Sequence, residues 1–220
     1  MKAYIIGDIK SETSKNAMDS CINSTDIRIE RFQQVSAEDV TDDDLRSYTY
    51  PKRGEKRFDE KAGLSLTGYG AKNIKRLVAC ILSHLHLWNR CLELNEDVMI
   101  LEHDAIFTRK FEPFEWEGGV LGLNDPRGAT RRSRIFHDKA SSVNGISDCP
   151  TVDGLNVPQG LAGNSAYIIK PFAAKYLLDL IDEYGIWPND AIMCNQLCPW
   201  LKVVYPYYTR VQGIQSTTML

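Results

Sequence analysis

Two carboxylates, Glu102 and Asp104, flank His103 directly after the apolar run Val98-Met99-Ile100-Leu101. A continuous apolar run is the signature of a strand buried on both faces of a parallel sheet. Groups that follow such a strand stand at its carboxyl end, where open α/β sheets bind ligands. If the backbone stays extended, Glu102 and Asp104 face one way and His103 the other. Paired hard oxygen ligands suit Mg²⁺ or Mn²⁺ held against a diphosphate. The same acids would also serve as an ordinary polar strand end.

The elements that must position these groups are legible on either side. Ile74, Leu77, Val78, Ile81, Leu85, Trp88 and Leu92 recur at spacings of three and four, which predicts an amphipathic helix. His84 shares its flank with Leu77, Ile81 and Trp88, as a structural histidine tying the helix to a cleft would; His86 falls on the solvent side. Residues 3–6 read as a buried strand ending at Gly7-Asp8, residues 11–24 as a helix and residues 27–32 as a second strand, a βαβ unit. Residues 36–70 are polar, with three consecutive Asp and a basic stretch, and read as a surface excursion.

Residues 120–123 form the next expected strand. Residues 124–160, rich in turn formers, read as one long loop carrying His137 and a basic knot of Arg127, Arg131, Arg132 and Arg134. Ala166-Tyr167-Ile168-Ile169 predicts a strand. Pro171 opens a helix expected to bury Ala174, Tyr176, Leu177, Leu178, Leu180 and Ile181. A further helix begins around Asp190, and residues 203–206 close with a short strand.

With 220 residues the chain can bury roughly 70% of its unfolded surface. Its hydrophobic content of 43% excludes disorder, and its net charge of −3 argues against a whole-protein nucleic-acid binder. No run approaches the roughly 20 apolar residues of a membrane span. The apolar start is too short for a secretory signal. Six cysteines without CxxC spacing read as packing residues in a reducing, cytoplasmic setting.

The stretch Val78-Ala79-Cys80-Ile81-Leu82-Ser83-His84-Leu85-His86-Leu87-Trp88, followed by Ile100-Leu101-Glu102-His103-Asp104, resembles glycosyltransferase family 25, the lipooligosaccharide-biosynthesis and collagen-galactosyltransferase relatives. That family pairs a helix A-C-x-L-S-H-x-x-x-W with a strand ending L-E-D-D. Residues 162–169 with residues 173–178 resemble its later strand and helix, and Pro188-Asn189-Asp190 its P-x-D. The resemblance spans roughly residues 76–208. It implies a GT-A-like single domain over residues 1–220, α/β, with a mostly parallel mixed sheet flanked by helices.

The implied activity is metal-assisted, inverting transfer of a sugar from a nucleotide-sugar donor, a UDP-sugar first among them, to a glycan or glycolipid acceptor. By this resemblance Glu102, His103 and Asp104 occupy the metal motif for Mn²⁺ or Mg²⁺, and Asp190 is the candidate general base. His103 stands where the family has its middle Asp, and imidazole suits Mg²⁺ poorly. A relative that binds a nucleotide sugar or glycan without turnover is therefore the alternative. A donor diphosphate also needs cations: Lys72 and Arg76 are the candidates, with Tyr69 available to stack on a base or simply to pack. No transmembrane segment and no nucleic acid are expected; peripheral membrane contact stays open. Another α/β phosphate enzyme is disfavoured, since neither GxxxxGK[ST] nor G-x-S-x-G occurs.

Overall fold

A computed structural model of the chain describes residues 1–8, 10–128 and 132–213. The elements run β1 (Lys2–Gly7), α1 (Glu12–Ser24), β2 (Ile29–Gln33), α2 (Asp42–Ser47), β3 (Lys56–Asp59), β4 (Leu64–Thr67), α3 (Ile74–Leu94), β5 (Val98–Glu102), β6 (Ala105–Phe107) and β7 (Val120–Gly122). They continue with a 3₁₀ turn (Pro126–Gly128), α4 (Ser133–Ala140), β8 (Gly145–Asp148), β9 (Ala166–Ile169), α5 (Pro171–Tyr184), α6 (Asn189–Ile192), β10 (Leu201–Tyr205) and β11 (Thr209–Val211).

Helix ends follow local chemistry. The Asn73 side chain accepts from the backbone N–H groups of Lys75 and Arg76 to start α3, and Asn95, left-handed at φ 48°, stops it. Thr41 and Asp44 form a reciprocal capping box at α2. Pro171 occupies the first turn of α5.

The main sheet has seven strands in the order β2-β1-β5-β9-β7-β10-β8. Strand β1 pairs in parallel with both β2 and β5, and β10 in parallel with β7. Strand β9 runs against β5 and β7, and β8 against β10. The α/β class and the mostly parallel mixed sheet are as the sequence implied, but β5 has a parallel neighbour on one side only.

Strict alternation divides the interior into two cores. Tyr4, Ile6, Val98, Ile100, Tyr167 and Ile169 join α3 and α5 on one face. Ala3, Ile5, Met99, Leu101, Ala166 and Ile168 pack with α1, Phe111 and Trp116 on the other. This is the period-2 geometry of strands covered on both sides.

Three expectations need correction. Residues 36–70 are more than a surface excursion: they contain α2 and the β3–β4 hairpin, and they bury Val40, Tyr48, Tyr50, Leu64 and Leu66. Residues 124–160 are not a continuous loop, because α4 and the edge strand β8 lie within them. Tyr176 is 43% exposed, and α5 buries Ala173 in its place. Position 176 is one residue off the inward stripe of 173, 174, 177 and 180. Arg131 of the basic knot lies outside the described residues.

Candidate active site

Parallel register sets the carboxyl ends of β1 and β5 side by side, with Ile6 opposite Glu102. The alternation of β5 carries on to its last residue, Glu102. The backbone then turns at His103 and Asp104 and does not stay extended, so the sequence expectation that Glu102 and Asp104 share a face by strand alternation does not apply. Glu102 turns to the α3 face, where it meets His84. His103 turns to the α1 face, beside Gly7 and Ser14. A Cβ on Gly7 would clash with Ser14 Oγ and lie 2.9 Å from His103 Cβ, so only glycine lets β1, α1 and β5 converge here.

Each oxygen of Glu102 has a protein partner. Oε1 lies 3.4 Å from His84 Nε2, and Oε2 accepts from the Ser165 hydroxyl at 2.9 Å. The Glu102 backbone N–H also donates to the Ser165 carbonyl at 2.8 Å. Burial alone would raise the Glu102 pKa, but the His84 contact, the Ser165 hydroxyl and the His103 charge outweigh it and hold the group below the ordinary carboxylate value. Its side chain keeps 27% exposure, so solvent or a ligand reaches it, whereas His84 keeps 1%.

Behind Glu102 stands a chain of fixed donors. Trp88 Nε1 donates to the Tyr167 hydroxyl at 2.9 Å, and that hydroxyl lies 2.8 Å from His84 Nδ1. His84 is thus the structural tie between helix and cleft that its helical position predicted. Asp104 differs from Glu102. Its Oδ1 is buried without a hydrogen-bond partner, and burial together with the Glu102 charge raises its pKa. Its backbone carbonyl accepts from Gln212 N–H, and the Gln212 side chain donates to the Thr13 carbonyl, so residue 212 straps the strand end to α1.

Asp190 reaches the same neighbourhood from α6. Gly160 makes this approach possible, since any Cβ there would overlap the Asp190 carbonyl oxygen. The Tyr69 hydroxyl donates to Asp190 Oδ1 at 2.7 Å. Burial raises the Asp190 pKa, opposed by the Tyr69 bond, while the Glu102 charge raises it further. Burial and the Asp190 charge push the Tyr69 phenol well up, which keeps it a donor.

Of the residues singled out from sequence, Tyr69 is hydrogen-bonded to Asp190, and the Glu102 charge acts on both Asp104 and Asp190, while the His103 Cβ lies beside Gly7 on the α1 side. Lys72 and Arg76 are exposed at the start of α3, with no described side-chain partner. Arg76 lies one turn before Cys80 on the same helix flank. Ser165, Tyr167 and Cys80 were missed as site residues. The signal available for Cys80 was its i, i+4 spacing to His84. Cys80, His84 and Glu102 bring their donor atoms within 4.8 Å of one another, a set that includes neither His103 nor Asp104. Two surface cavities of about 390 and 400 Å³ lie elsewhere. One is walled by Arg109, Phe114, Tyr205 and Tyr208, the other by Arg127, Arg134, His137 and Asp138, and none of the three acids lines either.

Residues 1–116 match the family model described as "Glycosyltransferase family 25 (LPS biosynthesis protein)". That is more than half of the chain, and the chain belongs to this family; it is a glycosyltransferase. No curated protein matches it. Among solved structures it is similar to the galactosyltransferase LgtC in complex with donor and acceptor sugar analogs, at 13% identity over 92% of this chain and 73% of that one, with a TM-score of 0.45. The bifunctional glycosyltransferase WbbM matches at 12% identity over 94% of this chain and 38% of that one, TM-score 0.46. The glycosyltransferase GlyE of Streptococcus pneumoniae TIGR4 matches at 13% identity over 93% and 45%, TM-score 0.42. No described helix is long and apolar enough to cross a membrane.

Proposed function

We propose that this glycosyltransferase moves a sugar, with inversion, from a nucleotide-sugar donor to a glycan or glycolipid acceptor, in a GT-A-like cleft at the joined ends of β1 and β5. The observation that supports the reading is electrostatic: Glu102 stands close enough to both Asp104 and Asp190, the latter from far along the chain, for its charge to raise the pKa of each. Asp190 is the general base. Tyr69 occupies Oδ1, so Oδ2 takes the proton of the acceptor hydroxyl as that oxygen attacks the anomeric carbon. The bond from that carbon to the diphosphate breaks, and its electron pair leaves with the diphosphate. A base whose pKa is raised toward working pH is suited to the task.

The residues present fit a divalent cation. Asp104 Oδ1 is buried and unpartnered, and each Glu102 oxygen keeps a lone pair beyond the contact it makes. When bound, Mn²⁺ or Mg²⁺ at Glu102 and Asp104 would neutralise charge developing on the departing diphosphate. Arg76 and Lys72 add cationic charge near the mouth, with a UDP-sugar the first donor to try. The basic cavity of Arg127, Arg134 and His137 offers a face for an anionic acceptor. We read the chain as one domain acting in the cytoplasm, a setting supported by six unpaired cysteines. One observation favours a binder without turnover: His103, in place of the family's middle acid, points to the other side of the sheet.

Thermal-shift assays with UDP, GDP and CMP sugars, each with and without Mn²⁺, test the proposal. One nucleotide should stabilise only with metal, and Asp104→Ala should remove the effect. Turnover of that donor to a product of inverted anomeric configuration, read by NMR, separates enzyme from binder. No stabilisation by any nucleotide would overturn the donor site.

A further inference from the structure

The gap between His84 and Glu102 has the dimensions of a metal seat. Nε2 and Oε1 face each other at 3.4 Å, long beside the roughly 2.9 Å of an ordinary N–H···O bond. Nitrogen and oxygen held tetrahedrally by zinc at about 2.0–2.2 Å stand about 3.4 Å apart. Cys80 lies one turn before His84 on α3 and therefore on the same flank. Its sulfur completes a trio whose donor atoms lie within 4.8 Å of one another. A zinc-bound sulfur needs about 3.6 Å to its neighbours, so closure takes at most about an ångström, within reach of a thiol rotation.

The remote atoms of the two partners are already tied. His84 Nδ1 meets the Tyr167 hydroxyl, which Trp88 pins from behind, and Glu102 Oε2 holds the Ser165 hydroxyl. That leaves Nε2 and Oε1 facing the gap. Outer hydrogen bonds of this kind orient metal ligands. Cys91, Cys149 and Cys198 point their sulfurs at backbone carbonyls, and the carboxylates whose charges reach Cys80 are Glu102, Asp190 and Asp104, the acids of the site.

We infer that Cys80, His84 and Glu102 form a site for a thiophilic divalent cation of the zinc class, separate from the oxygen-only seat for Mn²⁺ or Mg²⁺ and competing with it for Glu102. Binding releases the Cys80 thiol proton to solvent as the sulfur–metal bond forms. The imidazole binds through Nε2 as the neutral tautomer, its proton on Nδ1 toward the Tyr167 oxygen. The inference stands on geometry and does not depend on glycosyl transfer.

Titration of the full chain with Co²⁺, followed by Zn²⁺ competition, tests it. One Co²⁺ per chain should bind with a sulfur-to-cobalt charge-transfer absorption that Zn²⁺ displaces. Cys80→Ala should abolish that absorption and weaken Zn²⁺ binding at least about tenfold, with circular dichroism unchanged. Cys80→Ser, closer in size, serves if the alanine variant fails to fold. Three results would overturn the site: Co²⁺ bound without the thiolate absorption, absorption that survives in the Cys80 variant, or no Co²⁺ bound at tens of micromolar. Donor turnover with Mn²⁺, measured separately, reports on the transferase reading alone.

Discussion

The hydroxyl of Tyr69 donates to Asp190 Oδ1 at 2.7 Å, joining two residues 121 positions apart. The bond holds one carboxylate oxygen, so the proposed base role falls to the other. It also moderates a pKa that burial drives upward. Asp190→Asn should therefore lower kcat by about 10²- to 10⁴-fold while leaving donor KM within a few-fold. An unchanged kcat would remove Asp190 from the reaction.

Tyr69→Phe changes the pH profile in a defined direction. As the proposed base, Asp190 must be ionised to accept a proton, so activity should fall as pH drops through its raised pKa. Losing the Tyr69 hydroxyl removes an influence that lowers this pKa. The acidic limb of kcat against pH should accordingly move to higher pH.

Stability should respond to Asp190 in the opposite sense to activity. A carboxyl whose folded pKa lies above its unfolded value contributes stability that is fully present below the unfolded pKa and is lost as pH rises through the folded one. At neutral pH the buried charge is thus a cost. Asp190→Asn, which keeps an oxygen for Tyr69, should raise Tm at pH 7. At acid pH, where Asp190 is protonated, the gain should vanish. Melting curves at the two pH values decide it.

Tyr167→Phe deletes the hydroxyl that links Trp88 to His84 and strands two buried polar groups. The expected loss is about 1–3 kcal/mol in urea unfolding. Loss of a few tenths would mean the triad contributes little to holding α3 on the sheet.

Gly160→Ala tests the approach of residue 160 to α6. An added Cβ must push against the Asp190 carbonyl. Destabilisation of about 1–3 kcal/mol is expected, together with a fall in kcat, because the proposed base would be displaced. Wild-type kcat would show that α6 is not held through this contact.

Much of this frame was legible before any coordinates. The three-and-four spacing of residues 74–92 marked α3, and the period-2 side-chain rule placed Glu102 and His103 on opposite faces. Strand direction was not legible. Ala166-Tyr167-Ile168-Ile169 reads the same either way along the sheet, so the reversal of β9 waits on the path of the chain. The interior role of residues 36–70 was hidden for a different reason. Tyr48 with Tyr50, and Leu64 with Leu66, alternate over too few residues among polar neighbours to read as a period, and Val40 stands alone. The Tyr69–Asp190 pair was hidden as well, because no local rule links residues so distant.

The strap at Gln212 bears on how the site is made during synthesis. Glu102 and His84 emerge from the ribosome early, but Ser165, Tyr167, Asp190 and the Gln212 N–H that holds the Asp104 carbonyl follow 60 to more than 100 residues later. A nascent chain stalled at residue 116 would carry the family-matched segment with Glu102 lacking Ser165 and Asp104 lacking Gln212. Assembly of the acid cluster is a late, long-range event, and translational pausing beyond residue 116 would prolong the interval in which Glu102 and Asp104 lack those partners.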